Sequence, residues 1–377
     1  MAGETAPMRL LVAAGGTGGH VYPGIAIAEE WRRAHPQTEV IFVGTDRGLE
    51  AQVVPQAGFT LRTIQVRGFP RRNPLGMVRS AWAFLGSLFE TSALLRELRP
   101  SLVVGTGGYV SGPVVLLARL SGIPVVIQEQ NSVPGSTNRW LNLIADQVHI
   151  SFVESRNFFR RRNNLKVSGN PIRRSLLQYD RAGSYEALGL SPERRTLFVF
   201  GGSRGARSIN QAVAGALPLL RGVPDLQVLW QTGQEDRAAM QERVKGLPFP
   251  VRVVAYLDTI GRAYAVSDLV ICRAGAMTIA ELTACGAPAI LVPYPHATQD
   301  HQAHNARGLA DRGAAEMIAD KDLTPEELAK RVESLFRDDA RRRALGRNAR
   351  AFARTDAAHR IVKSIEELLG MGGPGDA

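Results

Sequence analysis

Three glycine-rich segments each join an apolar run to a helical pattern, and their residue types suit an anionic ligand. They cover residues 15–20, 201–205 and 273–276. Glycine lets the backbone approach a ligand closely, and a helix N-terminus offers N–H groups and partial positive charge to anionic oxygen. We therefore predict phosphate contacts at all three, with a plain strand-to-helix turn as the alternative. The helix after the first segment is expected to begin at about Pro23, and His20 is either functional or a helix cap.

Polar side chains that follow apolar runs are further candidates. Residues 128–131 read Gln-Glu-Gln-Asn after one run, and residues 299–305 hold a second polar group after another. Because open α/β sheets bind ligands beyond the carboxyl ends of their strands, we interpret both as site residues. Glu281 lies in an apolar helical stretch, where a carboxylate is costly without a partner. A ribose diol is the favoured partner, and an arginine is the alternative.

The elements that must position these residues follow from the apolar pattern. Most apolar runs are continuous, which is typical of parallel strands buried on both faces in a doubly wound α/β fold. The runs are residues 10–14, 40–44, 102–105, 125–128, 197–200, 227–230, 251–255, 269–272 and 289–292.

The two halves of the chain repeat one plan. Residues 10–20 and 101–127 are matched, in the same order, by residues 197–210 and 268–292. This ordered recurrence predicts two Rossmann-like domains. We assign residues 8–170 to the first and 171–356 to the second. A final helix over 357–370 could pack on either.

The charge balance limits the choice of partners. The net charge is +11, and residues 1–170 hold 18 basic and 11 acidic residues. This excess suits nucleic acid, an anionic membrane surface or a diphosphate substrate. Within residues 66–96, Arg67, Arg71, Arg72 and Arg79 mix with large apolar residues. That mixture predicts either an interface with an anionic bilayer or a core helix preceded by a basic loop.

Cysteine and acidic residues give no metal signal. The two cysteines lack a metal-ligand spacing. The one Asp-x-Asp sequence, residues 320–322, is interpreted as the N-cap of the next helix. There is no signal-peptide pattern, and no apolar run reaches the roughly 18 residues that span a bilayer. We therefore expect no catalytic metal and a soluble cytoplasmic protein.

Six segments together resemble the MurG family of UDP-N-acetylglucosamine transferases over nearly the whole chain, in order. They are GGTGGH at 15–20, QEQN at 128–131, GNPIR at 169–173, GGSRGARSIN at 201–210, CRAGAMTIAE at 272–281 and DHQAHNA at 300–306. The resemblance implies a GT-B fold, two Rossmann-like doubly wound domains facing an interdomain cleft. It implies a lipid-acceptor, membrane-facing N-terminal domain and a donor-binding C-terminal domain.

The activity that the resemblance implies is an inverting transfer of GlcNAc from UDP-GlcNAc to lipid I, undecaprenyl-diphospho-MurNAc-pentapeptide. The C4 hydroxyl of MurNAc is the acceptor, and lipid II for peptidoglycan synthesis is the product. The enzyme would be peripheral at the cytoplasmic face of the bacterial plasma membrane, on an anionic membrane surface, with no cofactor and no nucleic acid. Cell-wall synthesis proteins are further candidate partners.

The resemblance also implies roles for individual residues. The catalytic base would be His20, with Glu129 as the alternative. Arg204 departs from the family, where glutamine is expected, and adds charge beside the diphosphate position. The implied substrate-binding residues are Thr17, Gly18, Gly19 and Asn131 for the donor sugar and diphosphate, Arg173 and Ser203 for UDP, Leu257 for uracil, Ala276, Met277, Thr278, Ile279, Ala280 and Glu281 for diphosphate and ribose, and Gln302 for sugar hydroxyls.

Two other functions stay open from the sequence. The first is a different GT-B UDP-sugar enzyme, such as a lipid or natural-product glycosyltransferase or a UDP-GlcNAc 2-epimerase. The second is a non-enzymatic nucleotide or nucleic-acid binder, which the net charge suggests but no RNA-binding or helix-turn-helix pattern supports.

Overall fold

The chain divides into two units, each built round its own parallel β-sheet. The computed structural model describes residues 8–66 and 74–371, and the side chains in these ranges except at 74–84 and 298. Unit 1 comprises Met1–Arg173 and Arg354–Ala377, and unit 2 comprises Arg174–Ala353.

Unit 1 contains a parallel sheet in the order β3-β2-β1-β4-β5-β6-β7. Its strands are β1 Arg9–Ala13, β2 Glu39–Gly44, β3 Thr60–Thr63, β4 Leu102–Gly105, β5 Val125–Glu129, β6 Gln147–Ile150 and β7 Leu165–Val167. Its helices are α1 Gly18–Ala34, α2 Glu50–Gln56, α3 Pro74–Leu98, α4 Gly108–Leu120, α5 Ser136–Leu141 and, from the C-terminus, α14 Ala357–Leu368.

Unit 2 contains a parallel sheet in the order β10-β9-β8-β11-β12-β13. Its strands are β8 Arg195–Phe200, β9 Leu226–Gln231, β10 Val251–Val254, β11 Leu269–Cys272, β12 Ala289–Leu291 and β13 Glu316–Met317. Its helices are α6 Arg181–Leu188, α7 Arg207–Ala216, α8 Arg237–Arg243, α9 Ile260–Val266, α10 Ala276–Cys285, α11 His301–Ala310, α12 Pro325–Arg337 and α13 Asp339–Ala351.

Both sheets begin with three strands in the order third, second, first and then continue with the fourth and fifth. The repeated Rossmann-like plan and the α/β fold class are therefore confirmed. All nine predicted runs are strands. Eight of them are almost wholly buried, whereas the edge strand β10 is only partly buried. In β1, Leu10 and Val12 pack in one core layer while Leu11 and Ala13 pack in the other. The short strands β3, β6, β7 and β13 had no comparably clear apolar run.

The C-terminal helix α14 packs in unit 1. Ile361 and Ile365 are fully buried in the same core layer as Trp31 of α1. The Gln147 side chain of β6 donates a hydrogen bond of 2.9 Å to the carbonyl of Ser364. Helix α14 therefore completes the core layer on one face of the first sheet.

Two predicted helix starts are wrong. Helix α1 begins at Gly18, and Pro23 is buried inside it. Helix α12 is capped by Thr324, whose hydroxyl accepts a hydrogen bond from the Glu327 N–H at 3.1 Å. Residues 320–322 instead form a separate 3-10 turn. The hydroxyl nearest the helix start supplies the cap, as is usual.

Candidate functional site

The first glycine-rich segment, after β1, is shaped by a buried carboxylate. Gly16 has a left-handed backbone (φ 95°), and its N–H donates to Oε2 of Glu50 at 3.1 Å. Glu50 is 0% exposed, and Oε1 also accepts from the N–H and hydroxyl of Thr45. Thr17 then caps α1, and its carbonyl accepts from the N–H of His20 at 3.0 Å. The residues implied to meet the donor, 17–19, therefore form the cap and first turn of a helix.

The half-buried imidazole of His20 lies against the loop after β4, the neighbour of β1 in the sheet. A Cβ at Gly107 (φ 100°) would lie 2.8 Å from the ring, so only glycine suits this position. The carbonyl of His20 accepts from the Thr106 hydroxyl at 2.7 Å, and Nδ1 lies 3.3 Å from Oγ1 of Thr17. These contacts fix the backbone of His20 and orient its ring.

Glu129, the alternative base, is 1% exposed and is saturated with hydrogen bonds. Oε1 accepts from the N–H and side chain of Asn131 at 2.9 and 3.1 Å. Oε2 accepts from the Gly135 N–H at 3.1 Å and the Asn138 side chain at 3.0 Å. Burial raises the pKa of Glu129, and these four donors oppose that rise. The geometry argues that Glu129 organises the loop after β5 rather than accepting a substrate proton.

The other polar residues after β5 are also mostly internal. Gln128 and Gln130 are 0% and 1% exposed. The Gln128 side chain donates to Ser151 and Asn170, each at 3.2 Å, and that of Gln130 donates to the Thr106 carbonyl at 2.7 Å. The expectation that all four residues 128–131 face a ligand is therefore wrong for three of them. Asn131 alone is partly exposed.

Arg173 ends the first stretch of unit 1. Its guanidinium lies 4.5 Å from the centre of the Tyr22 ring in α1. Burial raises the pKa of Glu29 in the same helix, and the Arg173 charge acts in the opposite direction. The structure thus holds Arg173 against α1 by a cation–π contact.

In unit 2, the second glycine-rich segment is a turn that precedes its helix. The Gly205 N–H donates to the Gly202 carbonyl at 3.1 Å, and both glycines have positive φ. Ser203 and Arg204, between them, are exposed. Helix α7 begins at Arg207, so residues 203–205 lie in the turn that precedes it. A phosphate would therefore meet the N–H groups and side chains of an exposed turn.

The third glycine-rich segment does lead directly into a helix. Gly275 is the extended N-cap residue, and α10 begins at Ala276. Met277 and Ile279 are 9% and 5% exposed, so their side chains belong to the core. Within this helix only the more exposed side chains, such as Thr278, and the first-turn N–H groups face outward. The diphosphate and ribose role implied for residues 276–281 stays a prediction, in which Met277 and Ile279 would contribute backbone groups.

Arg273 ties the starts of α7 and α10 together, a role that sequence reasoning missed. One guanidinium nitrogen pairs with Asp320 at 2.5 Å and also donates to the carbonyls of Val292 and Pro293 at 3.1 Å. The other donates to the Ser208 hydroxyl at 2.7 Å. Asp320 therefore forms an ion pair with Arg273 and does not cap α12 as predicted.

Glu281 has a partner that the sequence did not indicate. Its Oε2 accepts from the Tyr264 hydroxyl at 3.0 Å. Tyr264 is 4% exposed, and burial followed by the Glu281 charge raises its pKa well above the usual value. The phenol therefore stays protonated and orients the carboxylate. Glu281 itself is partly exposed.

The remaining predicted contacts follow β10 and β12. Leu257 lies in the loop after β10, and Gln302 and Asn305 lie in α11. The Leu257 N–H donates to Oε1 of Gln231 at 2.9 Å. Gln302 accepts from the Tyr294 N–H at 3.0 Å through Oε1. Asn305 is 3% exposed and donates to the Ala274 carbonyl at 3.3 Å, so it holds α11 against the third glycine-rich segment. Sequence reasoning had grouped Asn305 with ligand-facing residues.

Together, the loops after β8, β10, β11 and β12 present the exposed turn, the Leu257 peptide, the α10 start with Glu281, and Gln302. This arrangement at the carboxyl ends of parallel strands suits a nucleoside diphosphate. Unit 1 presents Thr17, His20 and Asn131 at the corresponding edge of its own sheet. The two sets of residues thus lie on separate units.

Comparisons with known proteins match one family description to the first part of the chain and a second to the later part. The description "Glycosyltransferase family 28 N-terminal domain" matches residues 10–150, and "Glycosyltransferase family 28 C-terminal domain" matches residues 196–361. A relative from Myxococcus xanthus is 43% identical over 96% of this chain and 93% of its own length. That relative is named a UDP-N-acetylglucosamine–N-acetylmuramyl-(pentapeptide) pyrophosphoryl-undecaprenol N-acetylglucosamine transferase.

Solved structures give the same result. The crystal structure of Acinetobacter baumannii MurG has a TM-score of 0.73 and 30% identity, covering 96% of this chain and 100% of that one. A UDP-N-acetylglucosamine 2-epimerase has a TM-score of 0.70 and covers 99% of both chains. Its identity is only 14%, so it shares the fold alone. The chain therefore belongs to glycosyltransferase family 28, among its MurG members.

Proposed function

We propose that this protein transfers GlcNAc from UDP-GlcNAc to the C4 hydroxyl of MurNAc in lipid I and so makes lipid II. The observation that carries the proposal is the group of residues on unit 2, in which Ser203, Glu281 and Leu257 follow three strands of one parallel sheet. It is supported by family membership, since the M. xanthus relative is named for this transfer.

Most of the residues proposed for the donor, including those for uracil and ribose, lie on unit 2. The exposed turn with Ser203 and Arg204 would hold the diphosphate, together with the first-turn N–H groups of α10. Glu281, oriented by Tyr264, would accept hydrogen bonds from the ribose hydroxyls. The complete set proposed for the donor is Thr17, Gly18, Gly19, Asn131, Arg173, Ser203, Leu257, Ala276, Met277, Thr278, Ile279, Ala280, Glu281 and Gln302, with Met277 and Ile279 contributing only their backbone.

The chemistry requires a base and a stabilised leaving group. His20 would take the proton of the C4 hydroxyl as its oxygen bonds to the anomeric carbon, and UDP would depart from the opposite face with the bonding electrons. Histidine suits this step because it exchanges a proton near neutral pH more readily than the other side chains. N–H groups and Arg204 would stabilise the charge on the departing diphosphate. The proposal includes no catalytic metal and no cofactor.

The lipid acceptor implies that the protein contacts a membrane surface. Exposed apolar residues of helix α3 in unit 1 support such a contact. Leu85 and Phe89 of this helix are 49% and 80% exposed. We propose that α3 contacts an anionic bilayer at the cytoplasmic face of the plasma membrane. The arginines predicted to assist, Arg67, Arg71 and Arg72, and the side chain of Arg79 lie outside the described residues. Within residues 8–66 and 74–371, no helix is long and apolar enough to cross a bilayer.

The membrane contact is tested by liposome co-sedimentation. Phe89→Ser should weaken binding to anionic vesicles, and charge reversal of Arg71 and Arg72 should remove its salt dependence. Leu219→Ser is the matched control, because Leu219 is 53% exposed but lies in unit 2. Equal vesicle binding by the wild type and the Phe89 variant would contradict the proposed surface.

The transfer itself is tested with labelled UDP-GlcNAc and a lipid I analogue. Label should enter the lipid fraction and depend on both substrates. Incubation with UDP-GlcNAc alone tests the epimerase alternative, which predicts a 2-epimeric sugar nucleotide. Label that never reaches the lipid fraction would refute the proposed transfer.

A further inference from the structure

Gln231 links the two loops of unit 2 to which the proposed function assigns the diphosphate and the uracil. It is the last residue of β9, which lies between β8 and β10 in the sheet, and it is 2% exposed. Its Nε2 donates to the Gly202 carbonyl at 3.0 Å, in the turn after β8. Its Oε1 accepts from the Leu257 N–H at 2.9 Å, in the loop after β10.

The geometry requires an uncharged amide at this position. One end of the side chain must donate to a carbonyl while the other accepts from an N–H, and glutamine does both. A carboxylate would face the Gly202 carbonyl with an acceptor, and an aliphatic chain would leave both backbone groups without this partner. Because β9 lies between β8 and β10 in the sheet, a side chain at its carboxyl end can reach the loops that follow both neighbouring strands.

The turn after β8 also rests directly on the end of β9. A Cβ at Gly205 would overlap the Thr232 carbonyl, and one at Gly233 would overlap the Arg204 carbonyl. The Thr232 carbonyl also accepts from the Asn210 side chain of α7 at 2.9 Å. Gln231 therefore adds a side-chain link on top of close backbone packing, and the turn has a defined position relative to β9.

We propose that Gln231 is a positioning residue that sets the spacing between the phosphate-binding turn at Ser203 and the uracil-binding segment at Leu257. This inference rests on the proposed function, because that function assigns the ligands of the two loops. UDP joins a nucleoside and a diphosphate covalently. It therefore gains binding free energy from both loops only when the spacing of the loops matches the length of UDP. A linked ligand loses this advantage when its two sites move apart, whereas its separate halves do not.

The test compares UDP with its two halves on Gln231→Leu and on the wild type. Dissociation constants are measured for UDP, uridine and inorganic pyrophosphate. UDP should bind about 10- to 30-fold more weakly to the variant, on the order expected for two lost hydrogen bonds. Uridine and pyrophosphate should each change by less than about twofold. In turnover assays the donor KM should rise while the acceptor KM stays constant.

Gln227→Leu is the matched control. Gln227 lies on the same strand, is 1% exposed, and bonds the N–H and carbonyl of Ser191 at 3.0 and 2.7 Å. The Gln227→Leu substitution should therefore lower the unfolding temperature without changing UDP affinity. Gln231→Glu, which keeps the acceptor for Leu257 but loses the donor to Gly202, serves as a second variant if Gln231→Leu does not fold. It should show the same selective loss of UDP affinity.

Three results would overturn the inference. The first is unchanged UDP affinity in folded Gln231→Leu or Gln231→Glu. The second is an equal loss for UDP, uridine and pyrophosphate, which would indicate general damage to unit 2. The third is an equal loss of UDP affinity in Gln227→Leu. Failure of the wild type to bind UDP would instead refute the proposed function itself, so the two failures are distinguishable.

Discussion

Replacing Glu129 by glutamine tests whether this carboxylate holds the loop after β5 in place or acts as the catalytic base. The carboxylate accepts four hydrogen bonds, two on each oxygen, from Asn131, Gly135 and Asn138. Glutamine at 129 keeps one acceptor oxygen and places an NH₂ group where the other oxygen was. Two of the four N–H donors then lose their acceptor and face another donor.

The expected loss of stability follows from these contacts. Hydrogen bonds to charged groups contribute roughly 1.5–3 kcal/mol each, and a neutral amide is easier to bury than a carboxylate, which offsets part of the loss. We expect Glu129→Gln to lower the unfolding free energy by about 2–3 kcal/mol. Since Asn131 would move with the loop, kcat/KM should also fall by about tenfold, and equally at every pH.

Urea unfolding and a pH–rate profile measure these effects. Asp146→Asn is the control, because Asp146 holds the other end of β5 by accepting from the Val125 N–H at 2.8 Å. It should cost stability without a kinetic effect. The reasoning is refuted if Glu129→Gln leaves the unfolding free energy unchanged while turnover falls by a hundredfold or more and the acidic limb of the pH–rate profile disappears. That result would identify Glu129 as the base.

Three further predictions concern single residues. His20→Ala should reduce kcat by about 10²–10⁴ with unfolding unchanged if His20 is the base, and a loss below tenfold would reassign it. Glu281→Ala should raise the UDP-GlcNAc KM strongly, whereas Tyr264→Phe should raise it less; unchanged donor affinity in both would remove the ribose role. Burial, and then the Lys166 charge, lower the pKa of His149 to about 3. The folded state therefore binds fewer protons than the unfolded state, and unfolding free energy should fall as pH drops from about 6.5 towards 3, by up to about 1.4 kcal/mol per pH unit. His149→Gln should flatten this dependence in acid unfolding titrations, and an unaltered slope would contradict it.

The sequence by itself determined the fold class and the positions of the glycine-rich turns that follow the strands. Continuous apolar runs such as 10–14 and 197–200 are visible because a strand covered on both faces needs apolar residues at every position. The glycine-rich segments are visible because positive φ and close backbone packing exclude other residues, as at Gly16 and Gly205. These are local requirements, so they appear in adjacent letters of the sequence.

Only the tertiary structure decided which polar residues are exposed and which are buried in hydrogen bonds that hold the protein together. Glu129 and Asn131 lie two positions apart. The carboxylate of Glu129 is buried and accepts four hydrogen bonds, whereas Asn131 is partly exposed. Tyr264 and Glu281 lie on different helices, and Arg273 reaches Asp320 from a distant loop. Such partners are separated in the chain and are brought together by the sheet order. The bonds of Glu281 and Arg273 are not visible as a local pattern, because each joins segments that follow different strands of the sheet.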